Sequence, residues 1–426
     1  MVTLKKYNIL HSDEGLRTVE ESKIIQILLV WCFAFELRGL SRVDGVSILK
    51  KAIEGFVAHG LPFVVSNDGQ RLFDPSEVVN FMKWLDINQK DHFWSDYAIP
   101  TGRSLVQALA NKKDQLDSTN SFQFHIDFSR TFNMDKTSGP DKKVRLRIPI
   151  AIADVEIECM KVEFDGVKVT SLPISKYSNF LQVDCTLNRS RYVRLGYRCN
   201  LTIKSTKKLL DAEVTLSSED HSLYTASSEG FISITTKLKD LAVYIVGSKD
   251  ASLINQVHSL WDWILDNMMI GVIHYHLIDL KNPMEWALNE KIVDCQLGSA
   301  LLISFCRSLG IPARLIGGYT LYTEAPSKHY WAQIWFEEIG WRSYDLLAWD
   351  LSRGGLSHAW RGAFEGYIDD RLVTEIFPKT IIGQVGVNFV RSHHRLTSDV
   401  DGKACAEYID AYSCDLLYKD EIHISC

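Results

Sequence analysis

Apolar residues recur at helical spacings through residues 15–115. Ile24, Ile25, Leu28, Leu29, Cys32 and Phe35 share one face of a first helix. A second helix is predicted from near Asp44 to near Gly60. A third opens at Asp74-Pro75-Ser76-Glu77 and carries Val78, Val79, Phe81, Met82, Trp84 and Leu85. Proline suits a helix start, where its missing N–H would have no intrahelical partner. Asn67-Asp68-Gly69 marks a turn between two extended pieces.

The period then changes. FQFHIDF, VRLRIPI, VEIECMKVEF, NFLQVDC and YVRLGYRCNLTI, all between 120 and 204, alternate apolar and polar residues. Such strands, broken by turn signals at Ser138-Gly139-Pro140 and Asp165-Gly166, predict an antiparallel β-sandwich. Residues 205–230 are polar and Ser/Thr-rich and read as a linker. Helical spacing returns at Leu253–Met269 and Pro283–Asn289, and no internal repeat is visible. The predicted domains are therefore 1–118, helical; 119–238, β-sandwich; and 239–426, the part with the most structured motifs plus a C-terminal extension.

Composition narrows the function classes. The net charge is −6, and no basic stretch is long enough to track phosphates, which argues against nucleic acid. The longest apolar run, Ile24–Leu37, is interrupted by Gln26 and Glu36 and is too short to span a bilayer. Nine Cys occur, an odd number with no C-x-x-C pair, which fits reduced thiols rather than a disulfide framework or zinc site. Together with a polar N-terminus lacking an apolar signal core, this predicts a cytoplasmic protein with no membrane partner. His274 and His276 share a face only on a strand, and no third ligand is evident, so no metal and no cofactor are expected.

The chemistry concentrates between 293 and 349. Leu297, Ala300, Leu301, Ser304, Phe305 and Leu309 form one helical face, and Gly310 is a natural stop. Cys295 then sits at the helix start, where the helix dipole favours a thiolate. Ile311–Tyr319 reads as a buried strand ending at two glycines. In the next strand, His329, Trp331, Gln333 and Trp335 share a face. Glu337–Asp345 turns back as a hairpin. Pairing Phe336 with Gly340 sets Asp345 one diagonal step from His329 on that face. A one-residue slip would turn Asp345 away. A Cys nucleophile needs a base within reach and a third group orienting that base. Cys295, His329 and Asp345 supply such a set.

These motifs resemble the core of the transglutaminase-like superfamily. They are DCQLGSALLISFCRSLGIPARLIGGY followed by HYWAQIWFEEIGWRSYD, in the family's order over roughly residues 250–350. The β-rich region resembles the domain that precedes this core in many bacterial members. Trp360 to Arg371 is similar to a less diagnostic segment after it. The resemblance implies an α+β, papain-like transglutaminase core, preceded by a β-sandwich and a helical domain. It implies acyl transfer through a thioester on Cys295, with His329 and Asp345 completing the triad. Two positions depart from the pattern: Val293 stands where glycine is usual, and Tyr330 replaces a small residue, which would narrow an acyl pocket. His358, in a Gly/Ser-rich stretch, and Asp350 are rivals outside the motif positions. Trp331, Trp335, Trp341 and Trp349 cluster near the site; Trp331 and Trp349 are the candidate substrate contacts, although packing is the commoner role of tryptophan.

The expected function is an acyltransferase joining an acyl donor, amide or thioester, to an amine. The resemblance extends to amide-forming enzymes of bacterial antibiotic assembly lines, whose donors are carrier-protein thioesters. A cysteine peptidase or amidase would use the same triad with water as acceptor. A non-catalytic binding scaffold is the third reading, and the intact triad counts against it.

Overall fold

The computed structural model describes residues 18–31, 41–98, 121–134, 142–152, 155–169, 174–176, 179–187, 190–204, 215–247, 251–321, 327–346, 371–379, 392–398, 404–410 and 417–425. The N-terminal region holds a small antiparallel sheet, β1 (Val19–Glu20), β2 (Val64–Val65) and β3 (Arg71–Phe73), with β3 central. Asn67-Asp68-Gly69 makes the β2–β3 turn, with Gly69 at φ 83°. Around it lie α1 (Glu21–Trp31), α2 (Arg42–Ala58), α3 (Pro75–Ile87) and one turn of π-helix, α4 (Trp94–Ala98). Ser41 and Asp44 close a capping box on α2, and Asp74 caps α3 with Pro75 in its first turn. Helix α3 is buried from Pro75 to Leu85 on every side, so it is an interior helix rather than a surface one.

The β-rich region forms two antiparallel sheets. One contains β4 (Ser121–Asn133), β6 (Glu156–Phe164), β7 (Val167–Lys168) and β10 (Tyr192–Lys204). The other contains β5 (Lys142–Pro149), β8 (Ile174–Lys176) and β9 (Phe180–Leu187), in the order β5-β9-β8. Residues 205–214 of the expected linker lie outside the described residues. The remainder is ordered as α5 (Ser218–Tyr224) and the start of a small hairpin, β11 (Ser228–Glu229) and β12 (Ile232–Ser233). Ser217 caps α5, which explains why a polar segment folds as a helix here.

The last region contains α6 (Thr236–Val246), α7 (Leu253–Asn267), β13 (Met269–Ile270), α8 (Pro283–Glu290), β14 (Ile292–Val293) and α9 (Cys295–Ser308). Next come β15 (Ala313–Thr320), β16 (Ser327–Phe336), β17 (Gly340–Tyr344) and β18 (Arg371–Ile376), an antiparallel sheet in the order β17-β16-β15-β18. Strand β15 runs through Gly317 and Gly318 to Thr320 instead of ending there. A Cβ on Gly318 would lie 2.0 Å from the Leu372 carbonyl oxygen and 2.9 Å from Trp331, so glycine is what lets β18 and Trp331 close in.

The C-terminal strands β19 (Ser392–Ser398), β20 (Ala404–Asp410) and β21 (Leu417–Ser425) do not extend this sheet. They return to the first β-region, giving the order β19-β20-β21-β4-β10-β6-β7, with β21 paired along β4 from Leu417–Asn133 to Ser425–His125. Part of the C-terminal extension of the expected 239–426 unit therefore pairs with the first β-region. Strand alternation marks β21 as a strand but cannot tell which sheet receives it.

A buried polar cluster joins the two sheets. Arg130 on β4 donates from Nε and Nη2 to Asp420 on β21, at 2.6 and 2.8 Å. The Tyr319 hydroxyl of β15 donates to Asp420 at 2.6 Å, and Lys328 of β16 donates to the Tyr418 hydroxyl at 2.8 Å. Phe128 packs edge-on to Tyr319 at 5.1 Å between ring centres. Among the described residues, no helix is long and apolar enough to cross a membrane. Removing one partner of a buried ion pair strands the other charge. Asp420→Asn is therefore expected to cost about 3–5 kcal/mol of stability, read as a lowered midpoint in urea denaturation. A loss below 1 kcal/mol would mean that the cluster does not bind the sheets together.

Candidate active site

Strand β14 pairs in parallel with β13 and leads through one residue, Asp294, into α9. Asp294 caps the helix by accepting from the Leu297 N–H at 2.8 Å, and Cys295 follows as the first helical residue. Val293, where the family pattern has glycine, is fully buried against Gly298. A Cβ on Gly298 would lie 2.9 Å from Val293 and 2.4 Å from Leu346, so that glycine makes room for both. Cys295 is part-exposed and unpaired to any other sulfur. Cys306 and Cys199 are buried, and burial pushes their thiols upward, the latter to about 11.

Strands β16 and β17 pair with Phe336 opposite Gly340 and Ala332 opposite Tyr344, the register the hairpin motif predicts. It sets His329 beside Asp345: His329 Nε2 donates to Asp345 Oδ1 at 2.7 Å. With Nε2 so engaged, the other ring nitrogen is the one left for Cys295, the second side-chain partner of His329. Burial pulls the imidazole pKa down. The Asp345 charge, the Cys295 charge and the hydrogen bonds to both outweigh it and hold the ring at about 10.

Asp345 has no exposed surface and a second partner. Arg371, the first residue of β18, donates to Asp345 Oδ2 from Nη2 at 2.7 Å and from Nε at 3.3 Å. Its guanidinium lies 5.6 Å from the centre of the Trp331 ring, and Trp331 stacks on His329 at 6.3 Å and 22°. Trp331 is thus enclosed, with 0% exposure; expected to line an acyl pocket, it instead supports the imidazole and the arginine. Tyr330 packs towards Phe377 on the face opposite His329. Trp349, His358 and Asp350 lie outside the described residues. Trp335 and Trp341 pack together at 5.3 Å, with Arg314 over Trp341 at 3.9 Å.

Three neighbours were given no role by the sequence. The buried Tyr275 hydroxyl donates to Asp294 Oδ2 at 2.6 Å and lies 3.0 Å from Gln296 Oε1. Burial and the Asp294 charge hold the Tyr275 hydroxyl well above its usual pKa, which keeps it a donor. Arg371 closes the Trp360–Arg371 segment of the resemblance and Gln296 stands inside the DCQLG motif, yet neither has a role assigned from the sequence; Tyr275 had no sequence signal. His274 pairs with Glu77 at 2.6 Å, and no metal-binding group of His, Cys, Asp and Glu occurs among the described residues.

Residues 239–346 match the family model described as the transglutaminase-like superfamily. Solved structures with similarity include a Cytophaga hutchinsonii protein assigned to the cysteine proteases. It is 14% identical, with 71% of this chain and 99% of that one covered, at a TM-score of 0.41. The periplasmic domain of TgpA from Pseudomonas aeruginosa is 14% identical over 59% and 94%, TM-score 0.31. Red sea bream transglutaminase is 10% identical over 67% and 75%, TM-score 0.28. No curated protein sequence matches the chain.

The His329 charge has a sign that can be checked. Its folded pKa of about 10 lies above the unfolded value, so its stabilising contribution is complete below about pH 6.5 and is lost as pH rises through about 10. Asp345→Asn removes the carboxylate charge and leaves the burial, so the imidazole pKa should fall. Nitrogen-15 NMR of the histidine ring reads this directly, and an unchanged titration in the variant would show that Asp345 does not hold the proton.

Proposed function

We propose that the protein is a cysteine acyltransferase in which Cys295 is the nucleophile, His329 the proton carrier and Asp345 the group that orients His329. The observation that carries this reading is the His329 imidazole held between Cys295 and Asp345 at a helix start. An imidazolium cannot take a proton from a thiol; it serves as the acid of a thiolate–imidazolium pair. The Cys295 sulfur attacks the donor carbonyl, and the tetrahedral intermediate collapses as His329 protonates the leaving group. This leaves a thioester on Cys295 and a neutral imidazole. An incoming amine attacks the thioester, gives its proton to His329 and leaves as the amide, restoring the pair. The Cys295 backbone N–H, in the first turn of α9 and without an intrahelical acceptor, is a donor for the oxyanion.

The donor is an amide or a thioester. The narrower proposal, a carrier-bound thioester in bacterial specialised-metabolite assembly, is supported by sequence resemblance alone. Trp349 stays the proposed substrate contact. The first β-region, with two antiparallel sheets, is read as the expected sandwich.

The test is incubation of the protein with an acyl thioester and an amine, followed by intact-protein mass spectrometry. An acyl adduct and an amide product are expected. Cys295→Ala should lose the adduct and lower turnover by at least about 10⁴-fold. An adduct that yields only free acid assigns water as the acceptor. No adduct with any acyl donor, peptides included, would overturn the enzyme reading.

A further inference from the structure

Polar side chains on a buried helix must find partners or the fold loses stability. Helix α3 carries three in a row at helical spacing, Glu77, Asn80 and Lys83, all buried. All three reach one stretch of the last region. Lys83 Nζ donates to the Ile270 carbonyl at 3.0 Å, with its ammonium 4.6 Å from the Trp94 ring centre. Asn80 donates to the Val272 carbonyl at 2.9 Å and accepts from the Val272 N–H at 2.8 Å, as a neighbouring strand would. Glu77 takes the His274 hydrogen bond at 2.6 Å. Gly271 makes the approach possible, since a Cβ there would lie 2.5 Å from Asn80 Oδ1.

The clamped stretch leads to the nucleophile from both of its ends. Its start, β13, runs beside β14, and the Gly271 N–H continues the pairing onto the Val293 carbonyl at 2.8 Å. Its far end is Tyr275, which holds Asp294 and lies against Gln296. Those residues flank Cys295 in the chain, and Asp294 also caps its helix.

We propose that Asn80 is a positioning residue for Cys295: by fixing both backbone groups of Val272 it fixes Tyr275, and Tyr275 fixes the carboxylate and the amide on either side of the sulfur. The helical region is then a part of the active-site scaffold rather than an appended module. The inference rests on Cys295 being the nucleophile. A purely structural Asn80 would dock the helix and lower stability when removed, yet leave the thiol's reactivity unchanged.

The experiment uses the full chain with Asn80→Ala, Tyr275→Phe and both together. Two quantities are read: the iodoacetamide labelling rate of Cys295 by peptide mass spectrometry, and kcat with KM. Each single variant should lower labelling and kcat by about tenfold, with KM unchanged. The double variant should be no worse than the worse single, because both act along one line. Should Asn80→Ala fail to fold, Asn80→Ser replaces it, its hydroxyl serving one of the two Val272 groups, with a smaller loss expected. Additive effects, or wild-type labelling and kcat in the Asn80 variants whatever their melting temperature, would overturn the proposal. Failure of the nucleophile reading has a different signature: Cys295→Ala retains activity, while labelling of the thiol in the Asn80 variants still decides the positioning.

Discussion

A carboxylate with no exposed surface cannot stay ionised in a protein interior without a cation beside it. Asp345 has two, on different oxygens: His329 on Oδ1 and Arg371 on Oδ2. The guanidinium supplies a permanent positive charge to the carboxylate whether or not His329 is protonated. It also draws on the carboxylate that attracts the imidazole, which tempers that attraction. Arg371 is itself buried, and its guanidinium also faces the Trp331 ring, which lies against His329. The four side chains therefore define one another. Their assembly depends on β18 reaching β15, and β18 reaches it because Gly318 has no side chain to hold off the Leu372 carbonyl.

How much of this was legible in the chain follows from how local each signal is. The helix start at Cys295 and the hairpin from Phe336 to Gly340 are written in neighbouring residues. With the hairpin register fixed, strand alternation alone brings Asp345 to His329. Arg371 lies beyond the hairpin, and nothing in its surroundings names a partner. The two glycines read as a strand end because their usual local effect is to weaken a strand; the approach that justifies them comes from β18. Trp331 reads as a wall because alternation gives the face of a side chain and not what covers that face. The return of β21 to β4 is a pairing between segments 290 residues apart at Arg130 and Asp420, set by shape and by that ion pair rather than by any local pattern.

The imidazole side of the site is held from outside the matched segment as well. Lys328, the residue before His329, is tied to Tyr418 of β21, and Tyr319, its partner across β15 and β16, is tied to Asp420. Burial works against the Lys328 charge, but the surrounding tyrosine hydroxyls and Glu375 hold its pKa well above the usual value, so this anchor is a cation throughout the working range. The Ile152 N–H also donates to the Val373 carbonyl at 2.8 Å, which fastens the first β-region to the strand that carries Arg371.

The contact between Cys295 and His329 is therefore a meeting of parts held by different regions. The helix start is braced through Tyr275 and α3, the imidazole strand through β21 and β4, and the orienting carboxylate through β18. The family match spans residues 239–346, yet Asn80, Arg371, Tyr418 and Asp420 all fall outside that span. A hydrogen-bonded pair tolerates only tenths of an ångström before its geometry degrades. Tolerance that narrow needs supports on both partners that do not move independently, and here the C-terminal strands and the N-terminal helix provide them by folding back onto the core. The matched segment carries the proposed triad, while the flanking regions set the distance between its members.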